Sequence, residues 1–476
     1  MVGLVRMLIE RVETLEAENE ALRSEIEGLR CDVGRDSTNS GLPPATDDKA
    51  AREKRAKARR KPIRVKGKRK PGKQRGGEGS TLSRVCDPDR TILHRPPSCG
   101  GCGASMADAV TVGTQARQVF DVPAPRVEVT EHRVETCLCA CGTETTAPWP
   151  AEVAGTSTCW GPTVRAMAVY LVVAQHLPNE RAVQVLTDLV GANVSKGTIV
   201  AWMEGVAAAL DVFEATVKAL LQTAGVAHFD ETGCRVHDGT DTHYVHVNST
   251  ALLVLLAVHK NRGRQAMTDI GILPEFSGTA VHDGYQRYWD FDNIGAHQKC
   301  GAHLLRNLAS VADVASQAGW SNATADLLRE ANRACHQARD AGADSLDDGV
   351  LHAIWSRYGR LISLGYRANP PPQHRARDSL ERESYNLVRR LDRYRDDVLR
   401  FCVDLTVPFT NNEGERDVRP IKIHQKVSYL GRSLRHAQHW CLTRSYISTQ
   451  GKNDQPILDQ LRNAITGTPW LPTQAW

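Results

Sequence analysis

Between Gly225 and Asp283 the hydrophobic period of the chain changes from helical to alternating, and that change most narrows what it can fold into. GVAHFDETGCRV, THYVHVNST and ALLVLLAVHK are β-rich runs separated by turn residues. GRQAMTDIGILPEF reads as a helix, and GTAVHDGY as a short buried strand. Three antiparallel strands, a helix and a parallel strand are therefore predicted, with Asp230 in the first strand and Asp283 at the end of the fourth, on neighbouring strands. Each acid alone is an ordinary turn or cap residue. A carboxylate that ends an apolar strand costs desolvation unless a cation compensates it, so the pair points to shared metal ions.

This order of elements is that of an RNase H-like core. From about residue 304 to 400 the pattern is helical and charged (LLRNLASVAD, ATADLLREANRACHQARD, ERESYNLVRRLDRYRDDVLRFC), broken by NPPPQ near Pro370, and reads as a helical insertion. TNN then offers a turn and cap for a helix carrying Glu415, with Arg416 beside it and Arg419, Lys422 and Lys426 at +4, +7 and +11. That basic stripe suits a phosphate backbone; the alternative is a solvated charged face. Pro420 predicts a kink or a short first turn. Asp230, Asp283 and Glu415 are hard oxygen ligands of the kind that hold Mg²⁺ or Mn²⁺, and the chemistry they point to is phosphoryl transfer on a polynucleotide.

The other segments supply means of holding DNA. With 476 residues, three or four structural units are expected, and no run of eighteen apolar residues occurs, so a cytoplasmic protein without a membrane segment is predicted. Val5, Leu8, Val12, Leu15, Leu22, Ile26, Leu29 and Val33 keep a 3-4 spacing, with Asn19 in the one polar slot. Arg11 with Glu16, Glu18 with Arg23, and Glu25 with Arg30 have opposite signs at the flanking positions. That pattern predicts a parallel homodimeric coiled coil over residues 1–34; the alternative is an amphipathic helix packed on its own domain. Residues 35–84 form a basic arm. Residues 49–75 hold fifteen Lys or Arg and one Glu, a local +14 against a total of +5, so everything else sums to −9. Such a segment cannot fold alone and suits polyanion binding, with RNA contact or a solubilising tail as alternatives. Over residues 85–150, Cys99 and Cys102 (CGGC) and Cys137, Cys139 and Cys141 (CLCACG) flank alternating sequence, the layout of a zinc ribbon. Either Cys139 or Cys137 pairs with Cys141, and free buried thiols are the alternative. Residues 151–224 read as helical, with a turn at Gly191 and Asn193 and a helix capped by Ser195. Its first residues, Lys196 to Trp202, are placed as in a helix-turn-helix or in a plain two-helix connector.

The motifs taken together resemble the IS66-type transposases, bacterial insertion-sequence proteins, over nearly the whole chain. The matching stretches include the heptads followed by NS-x-x-PP, CGGC…CACG, RQVFDVP, VRAMAVYLVVAQHLPNERA, HFDETG, HKNRGRQAM, GILPEFSGTAVHDGY, CGAHLLRNL, PFTNNEGERDVRPIKIHQKVS and RSYIST. The resemblance implies a DDE transposase with its triad on Asp230, Asp283 and Glu415, which cleaves DNA at the element's ends and joins them to target DNA. It also implies small accessory proteins as partners and a bacterial, nucleoid-associated location when bound to DNA. Rival readings are an RNase H-like nuclease without strand transfer and a dimeric DNA-binding regulator derived from a transposase. Cys300 and His303 match a C-x-x-H found after the second Asp in many DDE enzymes and are read as structural. Two positions depart from the family pattern: Gly414, where the family usually has Ala, and a loosely matching WLP near the C-terminus. The expected architecture is multidomain α+β, with coiled coil, zinc ribbon, helical DNA-binding region, a catalytic domain over residues 225–450 and a tail over 451–476.

Overall fold

The computed structural model describes residues 84–474, apart from residues 123–124, 152, 154, 237–241, 314–315, 372–379 and 429. The expected coiled coil and the basic arm up to residue 83 lie outside the described residues. Those described divide into two compact units, one ending at Val127 and one beginning at Glu128. In the smaller unit, a turn at Cys99 is closed by the bridge between Ser98 and Ser105. The side chain of Gln118 makes reciprocal bonds of 2.8 and 2.7 Å to the backbone of Val85.

The larger unit opens with a hairpin, β1 (Thr136–Leu138) antiparallel to β2 (Glu144–Thr146), with Cys137 opposite Thr145. The alternating sequence upstream, expected to supply further β structure, forms no strand among the described residues. Val119, Val122 and Val129 stay exposed, and alternation builds a strand only where one face is buried. Helices follow: α1 (Pro162–Val169) running into a π-helical turn (Tyr170–Ala174), α2 (Asn179–Val190), α3 (Lys196–Ala209) and α4 (Asp211–Gln222). Gly191 ends α2 in the left-handed region at φ 72°, and the Ser195 hydroxyl caps α3 by accepting from Thr198 N–H at 3.0 Å, as its position predicts. Ile199, Met203, Val206 and Ala207 form the buried stripe of α3.

A five-stranded mixed sheet follows. β3 (Val226–Arg235), β4 (Thr242–Ser249) and β5 (Val254–His259) form an antiparallel meander. After α5 (Arg264–Ile270), β6 (Thr279–His282) and then β7 (Ala296–Lys299) add in parallel on the far side of β3, giving the order β5-β4-β3-β6-β7. The strands alternate between two buried faces. On one, Phe229 is 1% exposed and packs edge-on to Phe276; burial of such a ring is worth about 2–3 kcal/mol. On the other, His228 meets the start of the helix that bears Glu415. Helix α5 is shorter than its motif predicts, because Gly271 at φ 79° ends it and a 3₁₀ turn (Leu273–Glu275) follows.

Between the sheet and its last helices lie α6 (Gly301–Ala312), α7 (Ala318–Asp340), α8 (Asp348–Ala368), α9 (Leu380–Arg393), α10 (Arg395–Val398) and α11 (Arg400–Val403). Their core of Trp320, Leu328, Tyr358, Val388 and Phe401 is continuous with Val281 of the sheet. The insertion therefore folds on the sheet. Helix α12 (Asn412–Ser428) lies against β3 and β4, and α13 (Leu434–Lys452) runs along the edge of β5. Thr449 and Ser445 hydroxyls accept from the N–H groups of Val254 (3.1 Å) and Leu256 (2.8 Å). The segment expected as a C-terminal tail carries α14 (Ile457–Ile465), which packs on α1 through its buried Leu461 and Ala464. No helix among the described residues is long and apolar enough to cross a membrane.

Candidate active site

The parallel register of β3 and β6 sets His228 opposite Val281. Two residues further along each chain stand Asp230 and Asp283, level with each other and of the same alternation, on strands about 4.8 Å apart. Loss of solvation, then the negative charges of Asp283 and Glu231, push the Asp230 carboxyl up to about 8, with a smaller contribution from Glu415. The three predicted acids thus share one electrostatic neighbourhood. Asp283 Oδ1 accepts from Tyr285 N–H at 2.7 Å across Gly284, whose φ of +97° lets the loop turn there.

Glu415 is placed by a clamp that the sequence motif TNN announces only as a cap. The buried amide of Asn411 accepts from His228 Nδ1 at 2.8 Å through Oδ1 and donates to the Phe229 carbonyl at 2.9 Å through Nδ2. Its backbone N–H donates to Cys300 Sγ at 3.2 Å. The Glu415 N–H donates to the Asn411 carbonyl at 3.0 Å, so the acid sits one helical turn from that anchor. A Cβ on Gly414 would stand 3.0 Å from Asn411 Oδ1, which accounts for a residue smaller than Ala beside this amide. Gly301 lets the Phe409 ring lie over the start of α6, since a Cβ there would be 2.2 Å from it, and Gly301 N–H donates to Phe409 O at 2.8 Å. Glu415 Oε1 is 3.6 Å from His303 Nδ1 and 4.0 Å from Cys300 Sγ, and the three ligand atoms lie within 4.8 Å of one another. Cys300 and His303, read from sequence as structural, therefore also face this carboxylate.

Other groups at the site carry no motif that singles them out. Glu231, next to Asp230 and turned to the opposite face by alternation, has a side chain only 1% exposed. It accepts from the Tyr288 hydroxyl and from Arg262 Nη2 at 3.3 Å. Burial raises it to about 7, against the pull of Tyr288 and Arg262. Arg262 also lies 4.3 Å over the Tyr285 ring. Behind Asp283, Gly284 N–H donates to His282 Nδ1 at 3.0 Å, so the His282 proton is on Nε2 and is donated to His297 Nδ1 at 3.1 Å. Lys299 Nζ lies 4.7 Å from the Tyr394 ring centroid and 5.2 Å from that of Trp289; burial, then Arg390, lowers it to about 8. The sequence signal for three of these residues is that Glu231 lies within HFDETG, His282 within VHDGY and Arg262 within HKNRGRQAM.

Of the residues expected to touch DNA, Arg416 pairs with Glu413 at 3.1 Å, and Lys422 donates to the Gly233 carbonyl at 3.1 Å, back towards the sheet. Arg419 and Lys426 are exposed on α12, which continues through Pro420 as one helix. Lys196 is exposed at the start of α3, 3.8 Å from Glu180. Among the expected zinc ligands, the N–H groups of Cys102 and Gly101 lower the Cys99 thiol. The Thr143 hydroxyl, 3.3 Å from Cys141 Sγ, leads the groups that lower Cys141 to about 7. Both turns close with a backbone bond to a cysteine carbonyl from a left-handed glycine: Gly103 to Cys99 and Gly142 to Cys139, each 2.9 Å. Cys137 lies in β1 instead.

Residues 157–439, more than half of the chain, match the family model of the Transposase IS66 family. No curated protein matches the sequence. The match spans the sheet, the insertion and the helix bearing Glu415, and the chain belongs to the IS66 family of transposases.

Proposed function

We propose that the chain is a DDE transposase with an RNase H-like catalytic core, in which Asp230, Asp283 and Glu415 carry cleavage at the ends of an insertion sequence and strand transfer into target DNA. Membership of the family carries transposition, with DNA as the partner. The observation that supports the site assignment is the strand register that sets Asp230 beside Asp283, where burial and then the neighbouring carboxylates raise Asp230 to about 8. A buried carboxyl flanked by carboxylates is in conflict with its own charge at neutral pH, and a divalent cation among the three resolves it. Asp230, Asp283 and Glu415 would hold Mg²⁺ or Mn²⁺, which supplies activation of a hydroxyl nucleophile and stabilisation of the leaving oxygen in an in-line displacement.

The protein's own contribution is placement. The His282–His297 chain and the Asp283 turn fix one acid, Asn411 fixes another, and β3 fixes the third, so little reorganisation is needed when DNA arrives. Arg262 pairs with Glu231 at 3.3 Å and offsets part of that acid's charge beside the trio. Arg419 and Lys426 are free to contact phosphates along α12, with Lys196 as a further contact on α3, whereas Arg416 and Lys422 would first have to leave their present partners. Cys99, Cys102, Cys139 and Cys141, in two closely spaced pairs, suit a structural Zn²⁺, with Cys137 as the alternative ligand; the lowered thiols of Cys99 and Cys141 favour the thiolate form that binds metal. A homodimer through the N-terminal heptads would bring two catalytic sites to two DNA ends, with accessory proteins encoded by the element as further partners. The test is Asp230→Asn in an assay with labelled element ends: end binding is retained and strand transfer with Mg²⁺ or Mn²⁺ is lost. Joining at the wild-type rate would overturn the assignment, and cleavage without joining by the wild type would identify a nuclease.

A further inference from the structure

We propose that Cys300, His303 and Glu415 form a second metal site, for a thiophilic divalent cation of the zinc type, which competes with the oxygen-ligand trio for Glu415. The geometry carries this inference. With Zn–S of about 2.3 Å, Zn–N of about 2.05 Å and Zn–O of about 2.1 Å, tetrahedral angles put the ligand atoms about 3.4 Å (N to O) and about 3.6 Å (S to O and S to N) apart. The observed separations are 3.6 Å from His303 Nδ1 to Glu415 Oε1 and 4.0 Å from Cys300 Sγ to the same oxygen, with all three atoms within 4.8 Å. Closing on a cation requires contractions of a few tenths of an ångström on two edges and at most about 1.2 Å on the third.

Three further features suit a ligand set. Cys300 and His303 are three residues apart at the start of α6, which places them on one face. His303 Nδ1 is buried and has no hydrogen-bond partner, so that nitrogen is open to a cation. Cys300 Sγ already accepts the Asn411 N–H, an interaction that stabilises a metal-bound thiolate. The donor set of one sulfur, one nitrogen and one oxygen favours Zn²⁺ or Co²⁺ and disfavours Mg²⁺, which takes oxygen ligands in octahedral geometry. The fourth tetrahedral position is left for water or a DNA oxygen. As the metal–sulfur bond forms, the Cys300 proton is released to solvent. A carboxylate drawn to this site is withdrawn from Asp230 and Asp283, so zinc occupancy would hold the transposase inactive.

The site shares Glu415 with the proposed catalytic trio, but its metal uptake does not depend on that assignment. The experiment compares full-length wild type with Cys300→Ser, His303→Asn and Asp230→Asn, each checked for native circular dichroism. Zn²⁺ and Co²⁺ binding are titrated, with proton release followed by calorimetry in two buffers. Wild type should take up one more equivalent than either Cys300→Ser or His303→Asn, and Cys300→Ser should lose part of the thiolate-to-cobalt charge-transfer absorption, which Asp230→Asn should keep. The difference measurement cancels metal held by the other cysteines. Equal stoichiometry and equal cobalt spectra in wild type, Cys300→Ser and His303→Asn would overturn the proposal. Failure of Asp230→Asn to lose strand transfer would instead overturn the catalytic assignment alone.

Discussion

Asp230→Asn should stabilise the metal-free protein, and by an amount that depends on pH. The carboxyl goes from 3.8 to about 8 on folding. Below pH about 4 it is protonated in both states and contributes no difference. Between about 4 and 8 the unfolded chain gives up its proton while the folded chain keeps it, so stability falls as pH rises; above about 8 the whole penalty is present. Four units at 1.36 kcal/mol each set a ceiling of about 6 kcal/mol. Glu231, raised in the same neighbourhood, shares in this proton uptake, so removing one acid recovers on the order of half of that. Urea unfolding in EDTA should therefore show Asp230→Asn gaining about 2–4 kcal/mol over wild type between pH 4.5 and pH 8. Adding Mg²⁺ at pH 8 should restore the wild type and do much less for the variant. Parallel pH profiles for the two proteins, or equal stabilisation by Mg²⁺, would refute the view that this carboxylate is held in a site built for a cation.

Three other outcomes follow from the packing. Asn411→Ala removes two hydrogen bonds and leaves the His228 ring N–H and the Phe229 carbonyl buried without partners; a loss of about 2–5 kcal/mol in chemical unfolding is expected, with strand transfer reduced further than stability explains. Gly301→Ala would drive a Cβ to within 2.2–2.5 Å of the Phe409 ring, so a loss of about 1–3 kcal/mol and a lower melting temperature are expected. Ser195→Ala deletes the cap of α3 and should cost about 1 kcal/mol in unfolding while leaving Mg²⁺-dependent cleavage of a preformed DNA end unchanged.

The meander and its parallel neighbour were legible because β3 to β6 carry branched residues between turn residues, and the placing of Asp230 and Asp283 follows from that register. β7 was not anticipated. AHQK has no apolar alternation, and its burial comes from elsewhere: Gln298 accepts from Phe401 N–H at 2.9 Å, and Lys299 lies against the Trp289 and Tyr394 rings. The same limit hid Glu231 and Arg262, whose meaning is their contact with each other across thirty-one residues of sequence. Pro420, expected to mark a kink or a short first turn, lies inside α12, which continues through it. The bond lost is to the carbonyl of Arg416, an exposed residue where water can substitute. Helix α14 was passed over because only Leu461 and Ala464 anchor it, too sparse a stripe to separate from a polar end segment.

The hydroxyls of Ser445 and Thr449 stand four residues apart on a helix, about 6 Å along its axis, while the outward N–H groups of Val254 and Leu256 are two residues apart on a strand, about 6.6 Å. The near-coincidence of those two repeats lets an α-helix act as a sixth strand. An open β-edge is where one chain zips onto another, and a protein that gathers copies of itself on DNA, as proposed above, would be exposed to that error at high local concentration. With this edge occupied from within, self-association is left to surfaces that can be regulated, and the sheet that holds the acids is kept out of it.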